Sequence, residues 1–164
     1  MIELLVFDVD GCLTDGSIVC SNSEDEAKNF NVKDGFGILC WQALGKKCAI
    51  ITGKSSKIVE DRAKLLKIEY VFQGVSDKAQ VLEKLLNELN LEYSNVAAIG
   101  DDLNDLKQLK KAKWSFAPAD ALSYVKENVD TVLSLGGGKG CVREMIEMII
   151  KKENLEKEYL KPWL

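Results

Sequence analysis

Two aspartates two positions apart, Asp8 and Asp10, stand at the end of a run from Ile2 to Phe7 that is apolar except for Glu3, and Gly11 follows them. On an extended strand, side chains two apart share a face, so both carboxylates project the same way. At the exit of a buried strand they would repel each other unless a cation lies between them. An all-oxygen site of this kind suits Mg²⁺ and also accepts Mn²⁺. Gly11 lets the chain turn sharply and brings backbone N–H groups close to an anion. A calcium loop is excluded, because Cys12 and Leu13 fall where that loop requires Asp or Asn and then Gly.

The 164 residues contain no histidine. That excludes Ser-His-Asp hydrolysis, phosphohistidine intermediates and His-ligated zinc. A general acid or base must then be a carboxylate, lysine, tyrosine or cysteine, which raises the weight of the paired aspartates. The net charge of −4 argues against a nucleic-acid or anionic-membrane partner. An anionic small molecule remains open, since a local site can be positive on a negative protein. The five cysteines are odd in number and form no C-x-x-C pair, which fits a reducing compartment. With no apolar run long enough to span a bilayer and no leader pattern, the chain reads as cytoplasmic.

Short apolar segments alternate with amphipathic ones. Strands are expected at Ile2–Phe7, Lys47–Ile51, Tyr70–Gln73, Val96–Ile99, Trp114–Phe116 and Thr131–Leu133. Helices are expected at Gly35–Leu44, Ser55–Leu66, Lys78–Asn90, Asn104–Lys111, Ala121–Asn128 and Gly140–Lys152. In the third of these, Val81, Leu82, Leu85, Leu86 and Leu89 recur on one helix face. Buried strands joined by helices predict an α/β fold, a Rossmann-like doubly wound parallel sheet in one domain over residues 1–164. One stretch breaks the alternation. Ser17–Cys20 and Lys28–Val32 read as a β-hairpin inserted after the first strand, with its turn at Ser21–Glu26. Residues 153–164 read as a C-terminal tail ending in an extended arm, and there is no room for a large cap domain.

In open α/β sheets, ligands bind at the carboxyl ends of the strands. Those ends carry Asp8 and Asp10, then Thr52-Gly53-Lys54-Ser55, then Gly74 to Lys78, then Gly100-Asp101-Asp102-Leu103-Asn104-Asp105. They supply carboxylates for a metal, a hydroxyl and a glycine amide for a phosphate, and a lysine for negative charge. That set belongs to phosphoryl transfer. The Gly136–Gly140 run lacks nucleotide P-loop spacing and reads equally as a pocket-bounding loop or a linker.

The order DxDG, T-G, Lys and GDD-x-x-D resembles the haloacid dehalogenase superfamily of Mg²⁺-dependent phosphotransferases. More narrowly, Phe30 to Gly35, Ile50 to Gly53, Phe72 to Gly74 and Gly137 to Glu144 resemble the 3-deoxy-D-manno-octulosonate 8-phosphate phosphatases of lipopolysaccharide sugar biosynthesis. Related enzymes act on a nine-carbon keto-deoxy sugar acid 9-phosphate, and that substrate stays open. The resemblance implies Asp8 as nucleophile and metal ligand and Asp10 as acid–base and, through its carbonyl, a metal ligand. Asp101 would complete the Mg²⁺ site, with Asp102 and Asp105 as supporting carboxylates. Thr52, Gly53 and Lys78 would bind phosphate, Lys78 also serving catalysis, while Lys54, Arg62 and Lys33 are candidates for holding the sugar acid. It further implies a homotetramer in which Arg62 comes from an adjacent subunit.

Of three departures from the family pattern, two bear on specificity. The family often has Arg where this chain has Lys54 and Lys139, and lysine lacks the bidentate fork that suits a carboxylate. Cys12 stands where valine or threonine is more usual and is expected to be passive. A receiver-like phosphoaspartate signalling module and a non-catalytic subunit are the rivals from other classes. The acid–base aspartate speaks against the first and the intact motif set against the second.

Overall fold

The computed structural model describes residues 1–20 and 26–164. Among them, β1 (Leu4–Phe7), β2 (Lys47–Ile51), β3 (Tyr70–Phe72), β4 (Val96–Ile99), β5 (Trp114–Ala117) and β6 (Thr131–Val132) form one parallel sheet in the order β3-β2-β1-β4-β5-β6. β1 lies at the centre, in register with β2 through Leu4–Lys47 to Phe7–Ile50, and with β4 through Leu4–Val96 to Phe7–Ile99. Its ends are therefore the point where the strand order reverses, the usual place for a ligand crevice.

The period of two along the strands sorts the core into two layers. Leu5, Phe7 and Ile50 pack with Ile38 and Trp41 of α1 (Val32–Ala43), Val59 and Ala63 of α2 (Lys57–Leu65), and Met145, Ile146 and Ile149 of α6 (Cys141–Lys152). Leu4, Val6, Ala49 and Ile51 pack on the other face with Leu82, Leu85 and Leu86 of α3 (Lys78–Leu89), Leu109 of α4 (Leu106–Lys111) and Val125 of α5 (Ser123–Lys126). Both faces of the central strands are thus apolar, which is why β1 reads as a continuous run rather than an alternating one.

Side-chain caps set where the site-bearing helices begin. Asn31 accepts from the Lys33 N–H at the start of α1, Ser56 from Ile58 at the start of α2, and Asp77 from Gln80 at the start of α3. The cap at Asp77 places Lys78 in the first turn of α3, facing inward rather than into solvent.

The expected hairpin is reduced to one antiparallel bridge, Thr14 with Phe30, among the described residues. Residues 15–20 and 26–29 carry no ladder, and its predicted turn lies mostly at residues 21–25, outside the described residues. The boundary also moves: Val32 begins α1 instead of ending a strand, because Asn31 caps the helix there. The arm expected at Lys161–Leu164 is not extended, since the chain turns there and the Trp163 N–H donates to the Leu160 carbonyl at 2.8 Å. Glu156–Leu160 forms a further helix, α7, because Tyr159 buries against the core with Leu155 one turn before it. Beyond it the Trp163 ring sits edge-on to Phe36, with centroids 5.3 Å apart.

Candidate active site

After Phe7 the chain leaves the sheet and makes a wide turn over Val9–Leu13, closed by the Thr14 N–H on the Val9 carbonyl at 3.0 Å. Thr14 Oγ1 accepts from the Gly11 and Gly16 N–H groups, at 3.3 and 3.2 Å, so a buried hydroxyl organises the turn. Gly11 takes φ +97°, and a Cβ there would come within 2.1 Å of Asp101 Oδ2. Glycine is required on both counts. The Gly136–Gly140 segment is a packed loop rather than a linker: a Cβ on Gly137 would fall 1.9 Å from the Gly11 carbonyl oxygen, and the Gly138 N–H donates to the Cys12 carbonyl at 3.0 Å. It buttresses the loop that carries the two aspartates.

The strand ends converge on a cleft of about 360 Å³. Asp8 and Asp10 line it from β1, Thr52, Gly53 and Lys54 from β2, and Asp101 and Asp102 from β4. Asn104, not singled out in the sequence although it lies inside the GDD motif, lines it as well. Lys78 sits beneath the floor, 1% exposed, and donates to Asp8 Oδ1 and Asp105 Oδ1, both at 2.6 Å. Asp105 is fully buried and turns its other oxygen to the backbone N–H groups of Asp101 and Asp102, at 3.0 and 3.2 Å. It therefore fixes both the lysine and the Gly100–Asp102 loop. Asp102 is exposed, and its side chain accepts from the Leu103 N–H.

Lys33 and Arg62 do not line this cleft. Lys33 is exposed in the first turn of α1, and the Arg62 guanidinium lies over the Phe30 ring at 5.2 Å and against Gly35. Lys28, which the sequence reading did not select, is within reach: its Nζ donates to Asp10 Oδ1 at 2.6 Å. Nothing in the sequence separates this lysine from the solvated ones; only the fold of the segment from Glu26 onward reveals it.

Burial, followed by the charge of Asp105, pushes the Asp8 carboxyl above its ordinary range, even though Lys78 pulls the other way. Burial, and then the charges of Asp8 and Asp105, raise Asp101 to about 8. Burial also opposes the charge on Lys78, but Asp8 and Asp105 outweigh it and keep the ammonium above its usual pKa. One lysine thus faces three carboxylates, and negative charge is left over at the mouth of the cleft. An oxygen each from Asp8 and Asp101 lies with Cys12 Sγ inside a mutual distance of 4.8 Å. Burial and the neighbouring carboxylates push the Cys12 thiol well up, so it stays neutral and soft, a poor ligand for a hard cation. The donors that remain are two carboxylates, Asp8 paired on one oxygen with Lys78 and Asp101 with no ion pair among the described residues, and they fit Mg²⁺.

A pH dependence follows. An ordinary Asp titrates near 3.8, whereas in the fold Asp101 titrates at about 8 and Asp8 is raised as well. The folded chain binds more protons than the unfolded one across that window, so stability is fullest on its acid side and falls as pH rises through it. Urea titration of cation-free protein should give a lower unfolding free energy at about pH 9 than at about pH 6. Saturating Mg²⁺ should stabilise the fold most at the alkaline end, where the carboxylates carry no protons. A flat profile without metal would contradict the charge imbalance.

Comparison with known proteins agrees with this geometry. The family model for haloacid dehalogenase-like hydrolases matches residues 67–135. The 3-deoxy-D-manno-octulosonate 8-phosphate phosphatase KdsC of Escherichia coli strain K12 is 42% identical over 149 residues, covering 91% of this chain and 79% of the relative. A crystal structure of the phosphatase of that name from Moraxella catarrhalis, in complex with a magnesium ion, a phosphate ion and a KDO molecule, superposes with a TM-score of 0.95. It is 37% identical, over 99% of this chain and 94% of that one. The Yersinia pestis structure gives 0.91 at 40% identity, over 93% and 83%. The chain belongs to the 3-deoxy-D-manno-octulosonate 8-phosphate phosphatase family of haloacid dehalogenase-like hydrolases.

Proposed function

We propose that this chain is a Mg²⁺-dependent phosphatase that hydrolyses 3-deoxy-D-manno-octulosonate 8-phosphate through an aspartyl-phosphate on Asp8. The observation that carries the reading is the convergence of Asp8, Asp10, Thr52 and Asp101 on one open cleft, with Lys78 buried beneath Asp8. It is supported by the names of the relatives and by the ligands of the Moraxella catarrhalis enzyme.

In the first step an Asp8 oxygen attacks phosphorus, the bond from phosphorus to the sugar oxygen breaks, and Asp10 gives that oxygen a proton. In the second, water attacks the phosphorus, the pair of the breaking P–O bond returns to Asp8, and Asp10 takes the proton back. Lys78 holds Asp8 in place and offsets the charge gathering on it. Thr52 and the Gly53 N–H take the phosphoryl oxygens. Asp8, Asp101 and the Asp10 carbonyl would hold Mg²⁺, which when bound neutralises the charge of the incoming phosphate. Asp105 keeps Lys78 and the Asp101 loop aligned, and Asp102 flanks them at the rim.

Replacing Asp8 with Asn keeps the shape and removes the attacking oxygen's charge. Phosphate release should fall to background while the fold survives, and EDTA should silence the wild type until Mg²⁺ is restored. Turnover by the Asp8→Asn variant would refute the covalent mechanism. A receiver-like module would instead hold its phosphate and show no steady release.

Lys54 is the cation at the rim of the cleft and the first candidate for the sugar carboxylate. Lys54→Ala should raise KM for the sugar-acid phosphate about ten-fold, the effect of one charged hydrogen bond, and leave an aryl phosphate unaffected. A panel that includes the nine-carbon 9-phosphate settles which sugar acid is preferred. We place the enzyme in the cytoplasm, consistent with the lack of any described helix long and apolar enough to cross a membrane.

We further read the enzyme as a single-domain homotetramer whose neighbours cover the open cleft and bring Arg62 and Lys33 toward it. The exposed Ile18 and Val19, in the segment after the Asp8 loop, offer apolar surface for that contact. Light scattering should give about four times the 18.2 kDa chain mass, and a fully active monomer would overturn the assembly.

A further inference from the structure

Asp10 is not free to swing. Its carboxylate faces Lys28 Nζ at 2.6 Å, and the same ammonium reaches Glu26 Oε1 at 3.1 Å. Glu26 Oε2 in turn accepts from Ser56 Oγ at 2.6 Å, and Ser56 is the cap that starts α2 just after the Thr52–Lys54 loop. The Ser56 N–H is held by Gln73 Oε1 at 2.8 Å. One chain of charged hydrogen bonds therefore links the acid–base aspartate to the phosphate loop, and it crosses on a segment that belongs to neither strand end.

Stability does not account for this arrangement. The Lys28 side chain is 6% exposed although both of its partners lie partly in water, with side chains 34% and 47% exposed. Partly exposed ion pairs stabilise little, and drawing an ammonium out of water costs energy. An ammonium only donates hydrogen bonds, so the Asp10 oxygen that faces it is an acceptor. The orientation is that of Asp10 acting as a base.

We propose that Lys28 is the positioning residue of Asp10, holding its carboxylate where it accepts the proton of the water that hydrolyses the aspartyl-phosphate. The proposal rests on the roles of Asp8 and Asp10 given above. In that step the water oxygen bonds to phosphorus, the P–O bond to Asp8 breaks with its pair returning to the carboxylate, and the water proton passes to Asp10. When Asp10 is loaded with that proton, Glu26 keeps the Lys28 ammonium paired.

The test follows the two half-reactions separately, by rapid quench with 3-deoxy-D-manno-octulosonate 8-phosphate and Mg²⁺. In Lys28→Met the steady rate should fall at least about ten-fold with KM little changed, a part of what acid–base catalysis contributes. Release of the sugar should show a burst approaching one per active site, while phosphate shows none, because aspartyl-phosphate accumulates. Equal slowing of both releases, or none, overturns the assignment. Should Lys28→Met fail to fold, Glu26→Gln, at an exposed position, carries the test and should give the same burst with a smaller loss; no burst there also overturns it. Asp10→Asn run in parallel separates the two layers of argument. If that variant leaves both half-reactions intact, the acid–base reading itself falls and takes the Lys28 proposal with it; if it impairs them and Lys28→Met does not, only Lys28 was misassigned.

Discussion

Beneath the cleft, one ammonium serves two buried carboxylates. Lys78 touches Asp8 on one side and Asp105 on the other, and Asp105 spends its second oxygen on the backbone of the Gly100–Asp102 loop. Removing any member strands a charge out of water, which is far more costly than the pair is stabilising. The arrangement ties β1, β4 and the first turn of α3 into one rigid unit at the reversal point of the sheet. It also leaves the charge unbalanced: burial, and then the charges of Asp8 and Asp105, raise Asp101 to about 8, and the pull of Lys78 does not offset them. A site with surplus negative charge and hard oxygen donors is ready for a divalent cation, and through it for a phosphate.

The loop that carries the nucleophile depends on close backbone approach. Gly11 yields to Asp101, and Gly137 yields to the Gly11 carbonyl. Thr14 gathers the N–H groups of the turn, and Asp34, buried in α1, does the same for the start of α6 by accepting from the Arg143 N–H at 2.8 Å. Burial raises Asp34 to about 6 in spite of those backbone donors. The Gly136–Gly140 segment is held by the Gly137 N–H on Asp120 Oδ1 at 2.9 Å and the Gly138 N–H on the Cys12 carbonyl at 3.0 Å, and it presses the aspartate loop into shape. Gly137 and Gly138 mark contact between backbones, not freedom of motion.

Two lysines divide the electrostatic work between the two working aspartates. Lys78 comes from a helix start fixed by the Asp77 cap and is reachable by reading strand ends. Lys28 comes from a segment expected as a hairpin, where the described residues carry one bridge between Thr14 and Phe30. Helix α7 in the tail is hidden from the sequence for a related reason. Tyr159 lies in a charged stretch whose local pattern is weak, and only the groove formed by the rest of the protein gives it somewhere to bury.

By itself the sequence determined the sheet, the helices and the chemistry of the strand ends. Continuous apolar strands have no stable place except between two helical layers, and paired carboxylates at their exits have little use without a cation. The positions of Asp8, Asp10, Thr52, Lys78, Asp101 and Asp105 were legible because each is fixed by its local element. Tertiary structure alone decided what lies across from them. The Lys28–Asp10 pair, the glycine contacts of Gly137 and the placing of Arg62 against Phe30 join residues far apart in the chain. Such contacts depend on how the layers pack, and no local periodicity encodes them.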